Sequence, residues 1–187
     1  SASSARAAGA RCACERACAA VGFAHHGGGL RRGLSRHGLE FSPQYIAEGM
    51  GNVSGGLETG SVYNGLLILE LEIDLDRLAR WSGASLHAAS LFPHGESPSE
   101  HLTGDAFAVS NLDAPHTMRL FELWLEQQFG DGRLSIRAGQ MAADEEFAFT
   151  EQGSLFVNAS FGWSPMVGLN APAPIYPQGA PGARIAW

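Results

Sequence analysis

Lysine is absent from this chain of 187 residues. All 12 basic side chains are arginine, 19 carboxylates outnumber them, and the net charge is −7. Nucleic-acid binding rests on clustered cations that neutralise phosphates, so this balance argues against a nucleic-acid partner. Charge of either sign is scarce, at 17% of residues against about 25% in an ordinary soluble domain. A transmembrane helix needs about 18 or more consecutive apolar residues, and the sequence has no such run. Cysteine is confined to Cys12, Cys14 and Cys18. Their C-x-C-x3-C spacing is not a zinc pattern and nothing downstream completes one, so neither a metal nor another cofactor is expected. The cysteine-free remainder is compatible with an oxidising compartment.

What is present is glycine, with 24 residues, and aromatic side chains, with ten Phe, four Trp and three Tyr. Together with many Leu, Ile and Val they argue against disorder throughout. Three architectures survive: a soluble β-sandwich, a soluble barrel, or part of a transmembrane barrel.

Residues 1–26 are rich in Ala, Ser, Arg and Cys. Arg6, Arg11 and Arg16 precede the short apolar run 17–24, the order of charges and apolar residues found in a secretory signal. Gly22 interrupts that run, so a signal-like leader and a disordered low-complexity leader stay equally open. In GGLRRGLSRHG at 28–38, Leu30 and Leu34 would share one face of a short helix that Gly38 ends.

From residue 39 the pattern alternates. Over 59–76 the odd positions Tyr63, Leu67, Leu69, Leu71, Ile73 and Leu75 are apolar. The even positions Asn64, Glu70, Glu72, Asp74 and Asp76 are polar, with Leu66 and Ile68 as exceptions. Successive side chains of a strand point to opposite faces, so one face is apolar and the other acidic. Such a strand is long for a soluble sheet but suits a tilted strand that crosses a bilayer. Shorter alternations follow at 82–92, 115–128 and 133–140, one precedes at 39–46, and a sixth strand is expected from Arg184. The expected pairings are antiparallel: 39–48 with 58–75, 81–92 with 112–128, and that strand with 133–143. Breaks at 77–81 and 129–132 are short, the second with the hairpin-forming DG pair. Those at 49–57, 93–111 and 144–183 are long. Short turns at one end and long loops at the other characterise outer-membrane barrels.

Several motifs then occur in order: GGLRRGL at 28–34, GNVSGGLETG at 51–60, VSNLDAP at 109–115, RLFELWLEQ at 119–127, RLSIRAGQMAADEEF at 133–147, LFVNASFGW at 155–163 and PIYPQGAPGARIAW at 174–187. In these the chain resembles the carbohydrate-selective porins of the OprB family over about residues 27–187. The resemblance implies an all-β fold, an antiparallel transmembrane β-barrel of the porin type in the outer membrane of a Gram-negative bacterium. It implies passage of monosaccharides such as glucose and other small sugars, and contact with outer-membrane lipid, and it leaves open a homotrimer of the complete barrel. Family members are more than twice as long, with about 16 strands, a number that encloses a water-filled channel. Six strands cannot do so. Residues 27–187 are therefore expected to form the N-terminal part of an incomplete barrel. A soluble sugar-binding sandwich and a nonfunctional truncated porin remain as alternatives.

In a porin the polar face lines the lumen and the apolar face meets lipid. By strand parity Glu70, Glu72, Asp74, His87, Glu122, Trp124, Glu126 and Arg137 are expected to line the pore. Leu67, Leu69, Leu71, Phe121, Leu123 and Leu125 are expected to face outward. Carboxylates accept and guanidinium groups donate the hydrogen bonds that sugar hydroxyls need. Trp124 offers a flat surface for a sugar ring, and a membrane-interface anchor is its other reading. The third extracellular loop of general porins folds inward, which would bring Asp144, Glu145, Glu146, Asn158, Phe161 and Trp163 towards a constriction. A loop packed on itself around Phe161 and Trp163 is equally open. Enzyme activity is not expected. Glu122 and Glu126 stand roughly 13 Å apart by strand rise, outside the roughly 6.5–9.5 Å of an inverting glycosidase. No nucleophile, zinc or phosphate-loop motif occurs.

Overall fold

The computed structural model describes residues 30–143, 152–161, 174 and 176–187. The leader with its three cysteines, Asp144, Glu145, Glu146 and Trp163 lie outside the described residues.

The order of elements follows the alternation read in the sequence. A short helix α1 (Leu30–Arg36) leads into β1 (Leu39–Asn52) and β2 (Gly60–Asp74). A second short helix α2 (Leu75–Ala79) precedes β3 (Ala84–Gly95), which is followed by β4 (Arg119–Phe129), β5 (Leu134–Met141) and β6 (Ala180–Ala186). The six strands form one sheet in sequence order, antiparallel throughout. All three expected pairings are present. There is one sheet among the described residues, not two facing ones, so the sandwich alternative falls. At about 3.3 Å per residue, the 15 residues of β2 extend about 50 Å. None of the described helices is long and apolar enough to cross a membrane.

The connections sort by length only in part, because 75–83, which carries α2, is longer than 53–59. Those at 75–83 and 130–133 lie at one end of the sheet, and those at 53–59, 96–118 and 142–179 at the other. The 130–133 turn is tight because Asp131 (φ 58°) and Gly132 (φ 83°) both take the left-handed conformation that a twisted hairpin needs.

Three further expectations need correction. The break at 77–81 is no plain turn. Asp74 Oδ1 accepts from the amides of Asp76 (3.0 Å) and Arg77 (3.2 Å) and caps α2. Its other oxygen meets Arg77 Nε at 3.1 Å, so the carboxylate serves the turn rather than the polar wall. Next, β6 begins at Ala180 rather than Arg184. Pro181 and Gly182 hide its alternation, but both keep register with β5. Finally, Phe121 does not share the face of Leu123 and Leu125. The β3–β4 register runs Ala89↔Glu122 and then Ser90↔Leu120, so Phe121 is the extra residue of a bulge. Phe121 is 9% exposed and packs with Leu66, Leu91 and Ala142.

That cluster explains the two apolar exceptions of β2. Leu66 and Ile68 sit on the otherwise polar face towards the long-loop end, Leu66 within the cluster and Ile68 packed against it together with Leu112 and Tyr176. The other face is apolar over most of its area. Its cross-strand rows read Leu39–Ile73–Leu86–Leu125, Phe41–Leu71–Ala88–Leu123 and Tyr45–Leu67–Phe92. Phe41, Tyr45, Phe92 and Leu123 on it are all exposed.

Candidate functional site

The strand register brings seven of the sequence-predicted residues onto one face. One row across the sheet reads Glu40–Glu72–His87–Trp124–Gly139–Gly182. The rows on either side read Ser42–Glu70–Ala89–Glu122 and Ser85–Glu126–Arg137–Arg184. Glu70, Glu72, His87, Glu122, Trp124, Glu126 and Arg137 therefore share a wall. Asp144 and Trp163, also expected there, lie outside the described residues.

Within the wall two carboxylates, Glu126 and Glu122, gather most of the polar contacts. Glu126 is 7% exposed, and its Oε2 receives Arg137 through Nη2 at 2.8 Å and Nε at 3.0 Å. Arg184 Nη2 stands 3.7 Å from the same oxygen. Oε1 accepts from Ser135 Oγ at 2.9 Å and Gln128 Nε2 at 3.1 Å. A carboxylate so deeply placed needs these donors, because a buried charge without them is costly. Sequence parity pointed to Arg137 but missed Arg184, which the register places beside it.

Glu122, 1% exposed, anchors the second half of the wall. It accepts from the Ala142 amide at 2.9 Å and from Trp124 Nε1 at 3.3 Å. His87 bridges two carboxylates, with Nε2 at 3.6 Å from Glu122 and Nδ1 at 3.9 Å from Glu72. Both contacts become ion pairs when the imidazole is protonated.

Trp124 is not a free platform. His87, from β3, stacks on its ring at 4.8 Å with an interplanar angle of 14°. From β5 on the other side of β4, the Arg137 guanidinium lies 3.7 Å from the ring centroid. The indole is thus held between a histidine and an arginine, and its flat faces are occupied. Gly139, its partner on β5, makes this possible. A Cβ there would lie 2.6 Å from Trp124 Cα and 2.9 Å from its Cβ. Replacing Gly139 by Ala is expected to cost about 1–3 kcal/mol through overpacking. Urea unfolding of the folded protein in detergent checks this, and an unchanged midpoint would contradict it.

Arg137, Arg184 and Glu122 also border a cleft of about 150 Å³, completed by Met141, Pro174 and Pro181. Among the described residues no cluster of His, Cys, Asp or Glu is arranged to hold a metal ion.

Towards the long-loop end the same face is covered by loops, which sequence reasoning expected only of 144–183. The segment 96–118 takes part as well. Ser110 donates to Glu48 of β1, Asn111 N bonds Val157 O at 2.8 Å, and Ala159 N bonds Ala108 O at 3.2 Å. Tyr176 donates its hydroxyl to Leu112 O at 3.0 Å. Burial, with the carboxylates of Asp113 and Glu48 nearby, pushes that hydroxyl well above the usual tyrosine range. Asn158 accepts from Ser160 N at 2.9 Å and so shapes its own turn. Phe161 stacks on Phe156 at 4.2 Å, and both stay half exposed. The VSNLDAP motif at 109–115 was the available signal for this loop packing, since it supplies Ser110, Asn111 and Asp113.

Comparison with known proteins decides what kind of sheet this is. Residues 58–187 match the family described as carbohydrate-selective porin, OprB family. The chain belongs to the OprB family of carbohydrate-selective porins. A relative, Porin B of Pseudomonas aeruginosa, is 28% identical over 128 residues, which cover 64% of this chain and 28% of that protein. The high-pH structure of Pseudomonas putida OprB superposes with a TM-score of 0.74 at 25% identity, covering 84% of this chain and 39% of that one. This member of the OprB family thus spans well under half the length of those relatives. Its open sheet is similar to part of the OprB barrel.

Proposed function

We propose that this chain forms part of the wall of an outer-membrane channel through which small neutral sugars, glucose among them, diffuse without chemical change. The observation that carries the reading is the two-faced sheet. One face holds the network Glu72–His87–Glu122 and Arg184–Glu126–Arg137 around Trp124, and the other carries exposed Phe41, Tyr45, Phe92 and Leu123. A face of exposed apolar side chains suits lipid, and strands of this length reach across a bilayer. On the polar face Glu126 is paired with Arg137 and Arg184, while Glu72 and Glu122 stand on either side of His87. That leaves local donors and acceptors without one dominant field, which suits an uncharged polyol. The match to the carbohydrate-selective porin family supports a passive channel rather than an enzyme.

The test is transport in reconstituted vesicles. Liposomes holding a complete barrel that includes this chain are expected to swell faster in iso-osmotic glucose than in a salt of similarly sized ions. Equal rates, or no swelling above empty liposomes, would overturn the proposal.

A further inference from the structure

Strands β3 and β4 are neighbours, so the chain between them could close within a few residues. Instead the loop 96–118 turns away from β4 and runs back over β2 as far as β1. Its Ser110 is 1% exposed, donates its hydroxyl to Glu48, and accepts from the Leu112 amide at 3.0 Å. Glu48 also accepts from Asn64 Nδ2 at 3.4 Å, and Asn64 is only 5% exposed. Glu48, Asn64 and Gly95 form one row across β1, β2 and β3. The contact is therefore about 10 Å, two strand spacings, from the strand that the loop leaves. By register Glu48 shares the face of Glu72 and His87, so the loop crosses the polar face and does not pass around its rim.

Other ties fold the loop on itself and join it to the β1–β2 connection. Ser97 Oγ donates to Asp113 Oδ2 at 2.6 Å, and the amides of Leu57 and Glu58 bond Leu102 O at 2.8 and 3.2 Å. Asn52 Nδ2, at the last residue of β1, also donates to Leu102 O at 3.4 Å. Ser110–Glu48 joins the loop to a side chain four residues further inside β1.

We propose that Glu48 and Ser110 are positioning residues that hold the loop 96–118 inside the channel and so set the width of its mouth and the largest solute it admits. This rests on the channel reading of the polar face. Glu48 supplies the acceptor and Ser110 the buried donor. Without the acceptor the hydroxyl loses a buried partner, and the loop loses its inner hold on β1.

The test uses a complete barrel that includes this chain, with Cys12, Cys14 and Cys18 changed to serine. In Glu48→Cys/Ser110→Cys, a short bifunctional thiol reagent is expected to bridge the two positions and leave single-channel conductance at the parental value, because the loop already lies there. In Glu48→Leu, open-channel conductance and flicker are expected to rise, and liposomes should admit a trisaccharide that the parent excludes. Glu48→Gln keeps an acceptor oxygen and is expected to retain the parental size limit. Failure of the cross-link to form, a cross-link that cuts conductance, or a parental size limit in Glu48→Leu would each overturn the proposal. Cross-linking is read by mass and needs no transport. A channel that cross-links as expected but shows no preference for sugars would remove the functional reading and leave the loop assignment standing.

Discussion

Replacing Glu126 by leucine is expected to cost about 3–5 kcal/mol of folding stability, the size of effect seen when one partner of a buried ion pair is removed. The geometry gives the reason. Arg137 reaches Glu126 Oε2 through two nitrogens at 2.8 and 3.0 Å, and Arg184 approaches the same oxygen at 3.7 Å. Without the carboxylate, two guanidinium groups in a part-buried site would lose the oxygen they share. Ser135 and Gln128 would also lose their acceptor. Removing charge on both sides is expected to restore most of the loss, because apolar replacements of a buried pair are often neutral. Glu126→Leu/Arg137→Leu should therefore unfold in urea closer to the parent than Glu126→Leu does. If the single variant unfolds at the parental midpoint, the network is decorative and Glu126 does not organise the wall. In planar bilayers a complete barrel with the single variant should also shift ion preference towards anions, since the wall would then carry one negative charge fewer beside the two arginines.

The parts of this arrangement that rest on local chemistry were legible in the sequence. Two-residue periodicity is a direct consequence of strand geometry, so the five strands from 39 to 143 and their polar face followed from it. Parity also grouped Glu72 with His87 and Trp124 before any register was known. What parity cannot see is a single inserted residue. The bulge at Phe121 reverses the alternation from that point, moving one aromatic ring to the face opposite the one it was expected on. Long-range choices were likewise hidden. Asp74 looked like one more carboxylate of the wall, because its role depends on α2 folding beside it. Arg184 stood too near the chain's last residues for its alternation to be read, yet the register sets it beside Arg137. The path of the loop 96–118 depends on Ser110 meeting a residue 62 positions earlier, a contact that no local pattern encodes.

Trp124 shows how the same residue changes meaning once its neighbours are known. As an aromatic on a polar strand face it suggested a surface on which a sugar ring slides. With His87 stacked at 4.8 Å and Arg137 lying 3.7 Å from its centroid, it instead holds two polar side chains in place. Cation–π contacts that are partly desolvated contribute about 0.5–2 kcal/mol. A double-mutant cycle of Trp124→Ala and Arg137→Ala is therefore expected to give a coupling of about 1–2 kcal/mol in stability. The same coupling should appear in transport. Trp124→Ala should weaken sugar block of ion current in single-channel recording, because Arg137 loses the surface that orients it. Adding Arg137→Ala should then weaken block little further. If Trp124 met the sugar directly, the two substitutions would remove separate contacts and their effects would add. Additive losses of block would therefore return Trp124 to the role of a sugar platform. Unchanged block in Trp124→Ala, with the protein folded, would leave selectivity to the loops above the wall.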